Sequence, residues 1–173
     1  PTTAAHVLAD HAAVDLAVLD GGACPAGIES TIVRPQGDTL AVLRPGAITP
    51  AALRAAWPGP VAVVERSEVA VPGSAPRHYA PHTPVQVLPR AQLAGAGADT
   101  AVIALGTMPP VAGAAVHLLP LDPVAVAARL YTLLRALDAG GYRRILVEQL
   151  PAHEDWQALA NRLQRAAHPE TTP

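Results

Sequence analysis

Two short stretches of the sequence place hydroxyl and guanidinium groups where they could hold an anionic ligand. Ser30 and Thr31 stand where a glycine-containing loop enters an apolar run, and hydroxyl and backbone N–H groups at such a place can converge on a carboxylate or a phosphate. Arg44 ends a second apolar run and is followed by Pro45. Because its guanidinium is always charged and offers bidentate donors, it suits a phosphate chain better than a lysine would.

A third stretch, Arg77-His78-Tyr79, lies in a proline-rich segment. Proline restricts the backbone, so ordering these side chains over a ligand would cost little entropy. Each of the three stretches also has a structural interpretation. Hydroxyls at a strand start are common turn chemistry, an arginine at a strand end can simply be solvated, and a tyrosine can pin a surface loop. Spacing alone leaves both interpretations open.

The other reactive side chains form no recognisable site. Cys24 is the only cysteine, which excludes an internal disulfide and a cysteine-built zinc site. His6 and His11 are five residues apart and do not share a helix face as an i, i+4 zinc pair would. We therefore expect no metal-binding residues. The segment Gly95-Ala96-Gly97 lacks the third glycine and the preceding strand of a dinucleotide fingerprint.

The elements that must position Ser30 and Arg44 lie in a first block, residues 1–57. A β-hairpin is predicted with a turn at residues 36–38, because glycine and aspartate separate two apolar runs there. Cap residues favour a short helix at each end of the block. The predicted elements are a helix over Ala4–Ala9, a buried strand over Asp15–Asp20, hairpin arms over Ser30–Arg34 and Thr39–Arg44, and a helix over Ala51–Trp57.

The remainder of the chain divides into a connector and an α/β block. Residues 58–84 are rich in proline and glycine and predict a semi-extended connector with at most a short strand over Val61–Val64. From residue 85 onward, short β-branched runs alternate with helical periodicity, as in a small parallel sheet with helices. Strands are predicted over 85–88, 101–105, 116–119 and 145–148, one helix over 126–137, and a final helix with Arg162 and Arg165 outside its apolar face.

The composition is that of a folded chain with little charge. Half of the 173 residues are hydrophobic, all twelve basic residues are arginine, and the formal net charge is −2. This charge argues against a broad electrostatic surface for nucleic acid, and no apolar run reaches the roughly 18 to 20 residues of a membrane helix. We expect a soluble, cytoplasmic protein with no stable nucleic-acid binding and no membrane association.

Taken in order, these stretches resemble one enzyme family. Gly27–Val33, Leu43–Thr49 and Pro72–Pro81, together with the opening Pro1–Ala4, resemble the two-domain threonylcarbamoyl-AMP synthases. The resemblance implies an α/β fold class: the C-terminal part of a YrdC-like catalytic domain over residues 1–57, a proline-rich linker or lid over 58–84, and a small Rossmann-like parallel-sheet domain over 85–173.

The resemblance also implies an activity and its ligands. The family is a nucleotidyltransferase that joins L-threonine, bicarbonate and ATP into threonylcarbamoyl-AMP and releases pyrophosphate, with Mg²⁺ as helper, for a tRNA-modification transferase that acts downstream. By this resemblance Ser30 and Thr31 contact L-threonine, and Arg44, Arg77, His78 and Tyr79 contact ATP. No catalytic residue is assigned.

Two departures from the family pattern limit this interpretation. The lysine- and arginine-bearing first half of the catalytic domain is not in the chain, so we expect these 173 residues to be inactive by themselves. In the last helix Asn161-Arg162-Leu163 follows the family pattern, but Trp156-Gln157-Ala158 replaces its glycines. The alternative is a non-catalytic nucleotide-binding or regulatory module that docks onto a partner.

Overall fold

Two β-sheets organise the chain in the computed structural model, which describes residues 1–64, 71–73, 75 and 78–168. The first sheet has three strands in the order β1-β2-β3, and the second has four in the order β4-β7-β5-β6. The strands are β1 Ile32–Gln36, β2 Thr39–Arg44, β3 Val61–Val63, β4 Val85–Leu88, β5 Thr100–Leu105, β6 Ala115–Leu119 and β7 Arg144–Glu148.

The first sheet is built on the predicted hairpin. Strands β1 and β2 pair antiparallel across a two-residue turn that contains Gly37 at φ 58°, a conformation that glycine adopts without strain. Strand β3 then pairs in parallel with β2, so the start of the proline-rich segment belongs to this sheet. Helix α1, Ala4–Asp10, and helix α2, Pro50–Ala56, are capped by the hydroxyls of Thr3 and Thr49, as the cap residues predicted.

The prediction of a buried strand over Asp15–Asp20 is wrong. These residues have no regular secondary structure, and Leu16 and Leu19 are 41% and 99% exposed. A strand of this length depends on a neighbour for its backbone hydrogen bonds and its burial, and in the described part of the chain no strand lies beside it. We call residues 12–23 the unpaired stretch.

The second sheet is parallel throughout, as the apolar runs predicted. Strand β7 lies between β4 and β5, and β6 forms an edge. Helix α3, Arg90–Leu93, packs near β7, and helix α4, Pro123–Asp138, covers the other face. A 3-10 turn, Glu154–Trp156, leads into helix α5, Gln157–Ala166. The main core lies between the sheet, α4 and α5, and it includes Ile103, Leu130, Ile145, Leu159 and Leu163.

An ion pair occupies the carboxyl edge of this sheet. The guanidinium of Arg90 donates two 2.9 Å hydrogen bonds to the carboxylate of Glu148 and also bonds the backbone oxygens of Leu105 and Thr107. Glu148 in turn accepts from the Leu105 N–H. In open parallel sheets this edge is where nucleotides usually bind, but here the space is taken by the protein's own side chains.

No helix in the described ranges combines the length and the apolar character that a membrane span needs.

Candidate functional site

Ser30 and Arg44 are in direct contact. The Arg44 guanidinium donates to the Ser30 backbone oxygen from Nε at 3.1 Å and from Nη2 at 2.9 Å, and Nη2 also reaches Ser30 Oγ at 3.2 Å. Its Nη1 donates to the Pro72 oxygen at 2.8 Å. Within the described residues these four bonds leave one of the five N–H donors of Arg44 for a ligand. Arg44 therefore joins the end of β2, the loop before β1 and the linker.

A second connection holds the same two loops together. The Thr31 hydroxyl donates to the Ile48 oxygen at 2.7 Å and lies 3.0 Å from the Ile48 nitrogen, which donates to it. Gly46 is buried between the loops and packs against the backbone of residues 29–31. The Thr31 side chain thus serves the backbone in this structure, whereas Ser30 is exposed. Of the two residues predicted to contact threonine, Ser30 is the one with a hydroxyl at the surface of the site.

The linker closes one side of the site. A side chain at Gly73 would stand 3.3 to 3.5 Å from His78, Glu29 and Arg44, so all three residues meet this glycine. The His78 Nδ1 atom lies 3.9 Å from a carboxylate oxygen of Glu29. Burial, together with nearby arginine charges, lowers the pKa of His78 in spite of Glu29. The imidazole is therefore neutral at pH 7 and can accept as well as donate a hydrogen bond.

Glu29 is held by an arginine from the second sheet's helix. Arg162 of α5 has a side chain only 2% exposed, and its Nε atom lies 2.5 Å from Glu29 Oε2. The helix was expected to place Arg162 outside its apolar face, and that prediction is wrong. Ala158 and Arg162 are four residues apart on α5 and are both buried. Burial opposes ionisation of Glu29, but the hydrogen bond and charge of Arg162 outweigh it and lower the pKa of Glu29.

Tyr79 has a strained backbone. Its φ of 49° is uncommon for a residue other than glycine, and such strain is concentrated at functional positions. The ring packs tilted against His78 at a centroid distance of 3.8 Å, and its edge meets Tyr131 of α4 at 5.6 Å. Nearly half of the Tyr79 side chain remains exposed. The exposed part is available to a ligand.

A cavity of about 290 Å³ lies between the N-terminal loops, the linker and α4. Glu29, Tyr79 and Tyr131 are among its lining residues. Burial, and to a smaller extent Glu29, raises the pKa of Tyr131, so this phenol is neutral. Its hydroxyl is buried without a hydrogen-bond partner among the described residues. The Tyr131 hydroxyl therefore keeps a hydrogen-bonding capacity that no described residue uses, beside a cavity that Tyr131 itself lines.

The structure brings together most of the residues predicted from the sequence. The two loops that meet at this site contain Ser30, Thr31 and Arg44. His78 lies beside them at Gly73 of the linker, and Tyr79 is the next residue in the chain. Arg77 lies outside the described residues. Sequence reasoning missed Glu29, Gly46 and Arg162, although Glu29 and Gly46 lie inside the quoted motifs. For Arg162 the available signal was its place in the triplet Asn161-Arg162-Leu163, which follows the family pattern, but this signal did not indicate that the side chain is buried.

The described residues do not provide a metal-binding set. No group of three or more histidine, cysteine, aspartate or glutamate side chains is close enough together within the described ranges to hold an ion. Glu29, the carboxylate next to Ser30, is already paired with Arg162.

Comparison with protein families and characterised relatives identifies the chain. Residues 48–168 match the family "Threonylcarbamoyl-AMP synthase, C-terminal domain". The threonylcarbamoyl-AMP synthase of Bacillus subtilis is 29% identical over 191 aligned residues, which cover 96% of this chain and 53% of that protein. The Schizosaccharomyces pombe enzyme of the same name is 37% identical over 91 residues, 47% of this chain and 22% of its own. The aligned part of the chain thus corresponds to 53% of the length of the Bacillus subtilis protein and to 22% of the length of the Schizosaccharomyces pombe protein.

Solved structures agree with the sequence relatives. The crystal structure of P. abyssi Sua5 complexed with L-threonine superposes with a TM-score of 0.78 at 25% identity, over 96% of this chain and 54% of that one. A variant of the same protein, with an adjacent histidine and tyrosine replaced by alanine, gives 0.77. The match extends across both sheets and the site between them. The chain therefore belongs to the threonylcarbamoyl-AMP synthase family.

Proposed function

We propose that this chain supplies part of the active site of an L-threonylcarbamoyladenylate synthase that acts in tRNA threonylcarbamoyladenosine modification. The observation that carries the proposal is the contact of Ser30, Arg44 and the linker in one hydrogen-bonded cluster. The fold is shared with a protein whose crystal structure holds L-threonine. That ligand, with ATP and bicarbonate, is the substrate set that we assign to this protein.

The proposed reaction requires the protein to position its substrates and does not require a covalent bond between the protein and a substrate. Threonine and bicarbonate combine to a carbamate with loss of water. A carbamate oxygen then attacks the α-phosphorus of ATP, and the bond to pyrophosphate breaks. Holding the two reactants in line is worth many powers of ten in rate, and donors aimed at the phosphate stabilise the charge that develops.

The described residues divide these tasks between the loops and the linker. The exposed Ser30 hydroxyl faces the amino-acid substrate, and the remaining N–H of Arg44 faces a phosphate oxygen. The linker, fixed to Arg44 through Pro72, places His78 and Tyr79 at the entrance, where they exclude water from the bound nucleotide.

The proposal concerns the complete protein, because the chain covers only about half of its relatives. The direct test is pyrophosphate release by the protein expressed from its complete open reading frame. We expect release to require L-threonine, bicarbonate and ATP together. Release without threonine, or none with all three substrates present, would contradict the assignment.

Tyr79→Ala should weaken nucleotide binding more than it weakens the fold. The substitution removes an exposed ring face, and stacking of a base on such a ring is worth about 1 to 3 kcal/mol, so we expect ATP affinity to fall roughly ten-fold or more. The linker backbone is held elsewhere by Arg44 and the prolines. Calorimetric titration with a non-hydrolysable ATP analogue measures the affinity, and Tyr79→Phe is the matched control. If the midpoint of thermal unfolding falls by several degrees while the ATP affinity is unchanged, Tyr79 stabilises the fold and does not bind the nucleotide.

Arg44→Lys should damage the site although it keeps the charge. An ammonium group cannot reproduce the fork that reaches Ser30 and Pro72 at once, so both the loop and the linker lose their common anchor. We expect roughly ten-fold weaker binding of threonine and of the ATP analogue. The exposed Arg34 on β1 offers Arg34→Lys as the control. Equal affinities in Arg44→Lys and the parent would remove Arg44 from the site.

A further inference from the structure

Arg162 makes three contacts from a buried position on α5. Besides the 2.5 Å contact with Glu29, Nη2 donates to the Pro45 oxygen at 3.1 Å, and Nη1 donates to Asn161 Oδ1 at 2.8 Å. A buried charge is costly unless its geometry is satisfied, and here each nitrogen of the guanidinium has an acceptor. The side chain reaches out of the second sheet's helix layer and into the loops of the first.

The two outward contacts fall at specific places in the chain. Glu29 is the residue immediately before Ser30, and Pro45 is the residue immediately after Arg44. Arg162 thus holds both candidate ligand-binding residues through their neighbours without touching either side chain. The other oxygen of Glu29 lies near His78 of the linker, so the same carboxylate extends the network to the entrance of the site.

Docking of the two sheets does not by itself explain this arrangement. Ile28 already packs against the main core, and Gly27 lies against the backbone of α4. These apolar contacts would hold the loop near the helix layer, but they fix neither the direction of Ser30 nor the separation of the two loops. The Arg44–Ser30 and Thr31–Ile48 bonds join the two loops to each other. The rigid, planar guanidinium of Arg162 adds a directional bond to each loop from helix α5 and so fixes the joined loops relative to that helix.

We propose that Arg162 is a positioning residue for the ligand site: by binding Glu29 and the Pro45 carbonyl it sets the distance and orientation between Ser30 and Arg44. The proposal rests on the proposed function, since the site it orders is the one assigned there to threonine and ATP. The helix layer of the second sheet is then part of the active-site scaffold. Orientation of the two sheets becomes a determinant of substrate affinity.

The experiment uses the protein expressed from its complete open reading frame, with Arg162→Lys, Arg162→Gln and Glu29→Gln, and the exposed Arg129→Gln on α4 as control. We expect kcat/KM for threonine to fall at least roughly ten-fold in Arg162→Gln and less in Arg162→Lys, because a displacement near 1 Å can cost up to about 100-fold in rate. The double variant Glu29→Gln/Arg162→Gln should be no worse than the poorer single variant, as for residues that act as a unit.

Amide hydrogen exchange provides a readout that does not depend on turnover. Residues 28–31 and 44–47 should exchange faster in Arg162→Lys than in the parent, while strands β5 and β7 keep their protection. If Arg162→Gln does not fold, Arg162→Lys and Glu29→Gln carry the test. Unchanged kcat/KM values together with unchanged exchange in both loops would overturn the proposal while the proposed function stands. If the parent itself releases no pyrophosphate, the proposed function fails, and the exchange measurement alone decides whether Arg162 fixes the loops.

Discussion

Gly46→Ala should weaken the proposed binding of threonine by the complete protein at least roughly 100-fold, because the added methyl group overlaps backbone atoms. A methyl group built on Gly46 would stand 2.5 Å from the Glu29 oxygen and closer still to the backbone of Ser30 and Thr31. Such atoms cannot approach within about 3 Å, and the obstacle is backbone, not a side chain that could rotate away. The two loops must therefore separate by several tenths of an ångström, which pulls Ser30 away from the Arg44 guanidinium.

The expected effect of Gly46→Ala is purely steric, so its control is a glycine at which an added methyl group meets no other atom. Gly46 is not among the residues with positive φ, so alanine can adopt its backbone conformation. Gly97→Ala is the matched control, since no atom lies within 4 Å of the added methyl and its φ is also unexceptional. That change should be neutral or stabilising by about 0.4 to 1 kcal/mol. Threonine titration and thermal melting measure both variants. A Gly46→Ala protein that binds threonine as the parent does would show that the loop separation is unimportant.

Gly27→Ala should release the N-terminal loops from helix α4. Gly27 has φ 65°, and a methyl group there would stand 2.6 Å from Ala128 Cα and closer to the Ala127 oxygen. Strain in the backbone and overlap with a helix add together, so we expect a loss of about 3 kcal/mol. For a chain of this size, this loss of stability corresponds to a midpoint of thermal unfolding that is roughly 6 to 12 °C lower. Differential scanning calorimetry measures it.

Gly37→Ala separates the effect of backbone strain from the effect of overlap with helix α4. Gly37 also has positive φ, at 58°, but a methyl group there meets nothing within 4 Å. It should therefore show the strain of the backbone alone, about 1 kcal/mol. The difference between the two variants reports the overlap with α4. If both variants melt at the same temperature, Gly27 does not lie against the helix.

Local signals in the sequence were sufficient for most of the individual elements. Turn glycines and cap hydroxyls act within a few residues, so the hairpin and both short helices appeared close to their predicted places. The parallel strands of the second sheet were likewise readable as β-branched runs between helices. Asp15–Asp20 failed because a strand needs a partner, and its own residues cannot specify whether one is present.

The sequence motifs predicted which residues belong to the site, but they did not predict the contacts between residues that are far apart in the sequence. Ser30, Arg44 and His78 could be named from chemistry and resemblance, whereas the contact of Arg162 with Glu29 joins residues 133 positions apart. Helical periodicity assigns a charged residue to the solvent face by default. Only the packing of α5 against the first sheet's loops makes that position internal and supplies the carboxylate that satisfies it.

The unpaired stretch has a consequence for handling the protein in the test tube. Residues 12–23 combine exposed valine and leucine side chains with a backbone that pairs with no strand in the described part of the chain, and exposed apolar segments of this kind can promote aggregation by pairing between molecules. Asp15 and Asp20 flank Leu16 and Leu19, and charges in these places act as gatekeepers against that pairing. We therefore expect that exchanging either of these two carboxylates for an asparagine makes this 173-residue chain more prone to precipitate, although neither carboxylate belongs to its core.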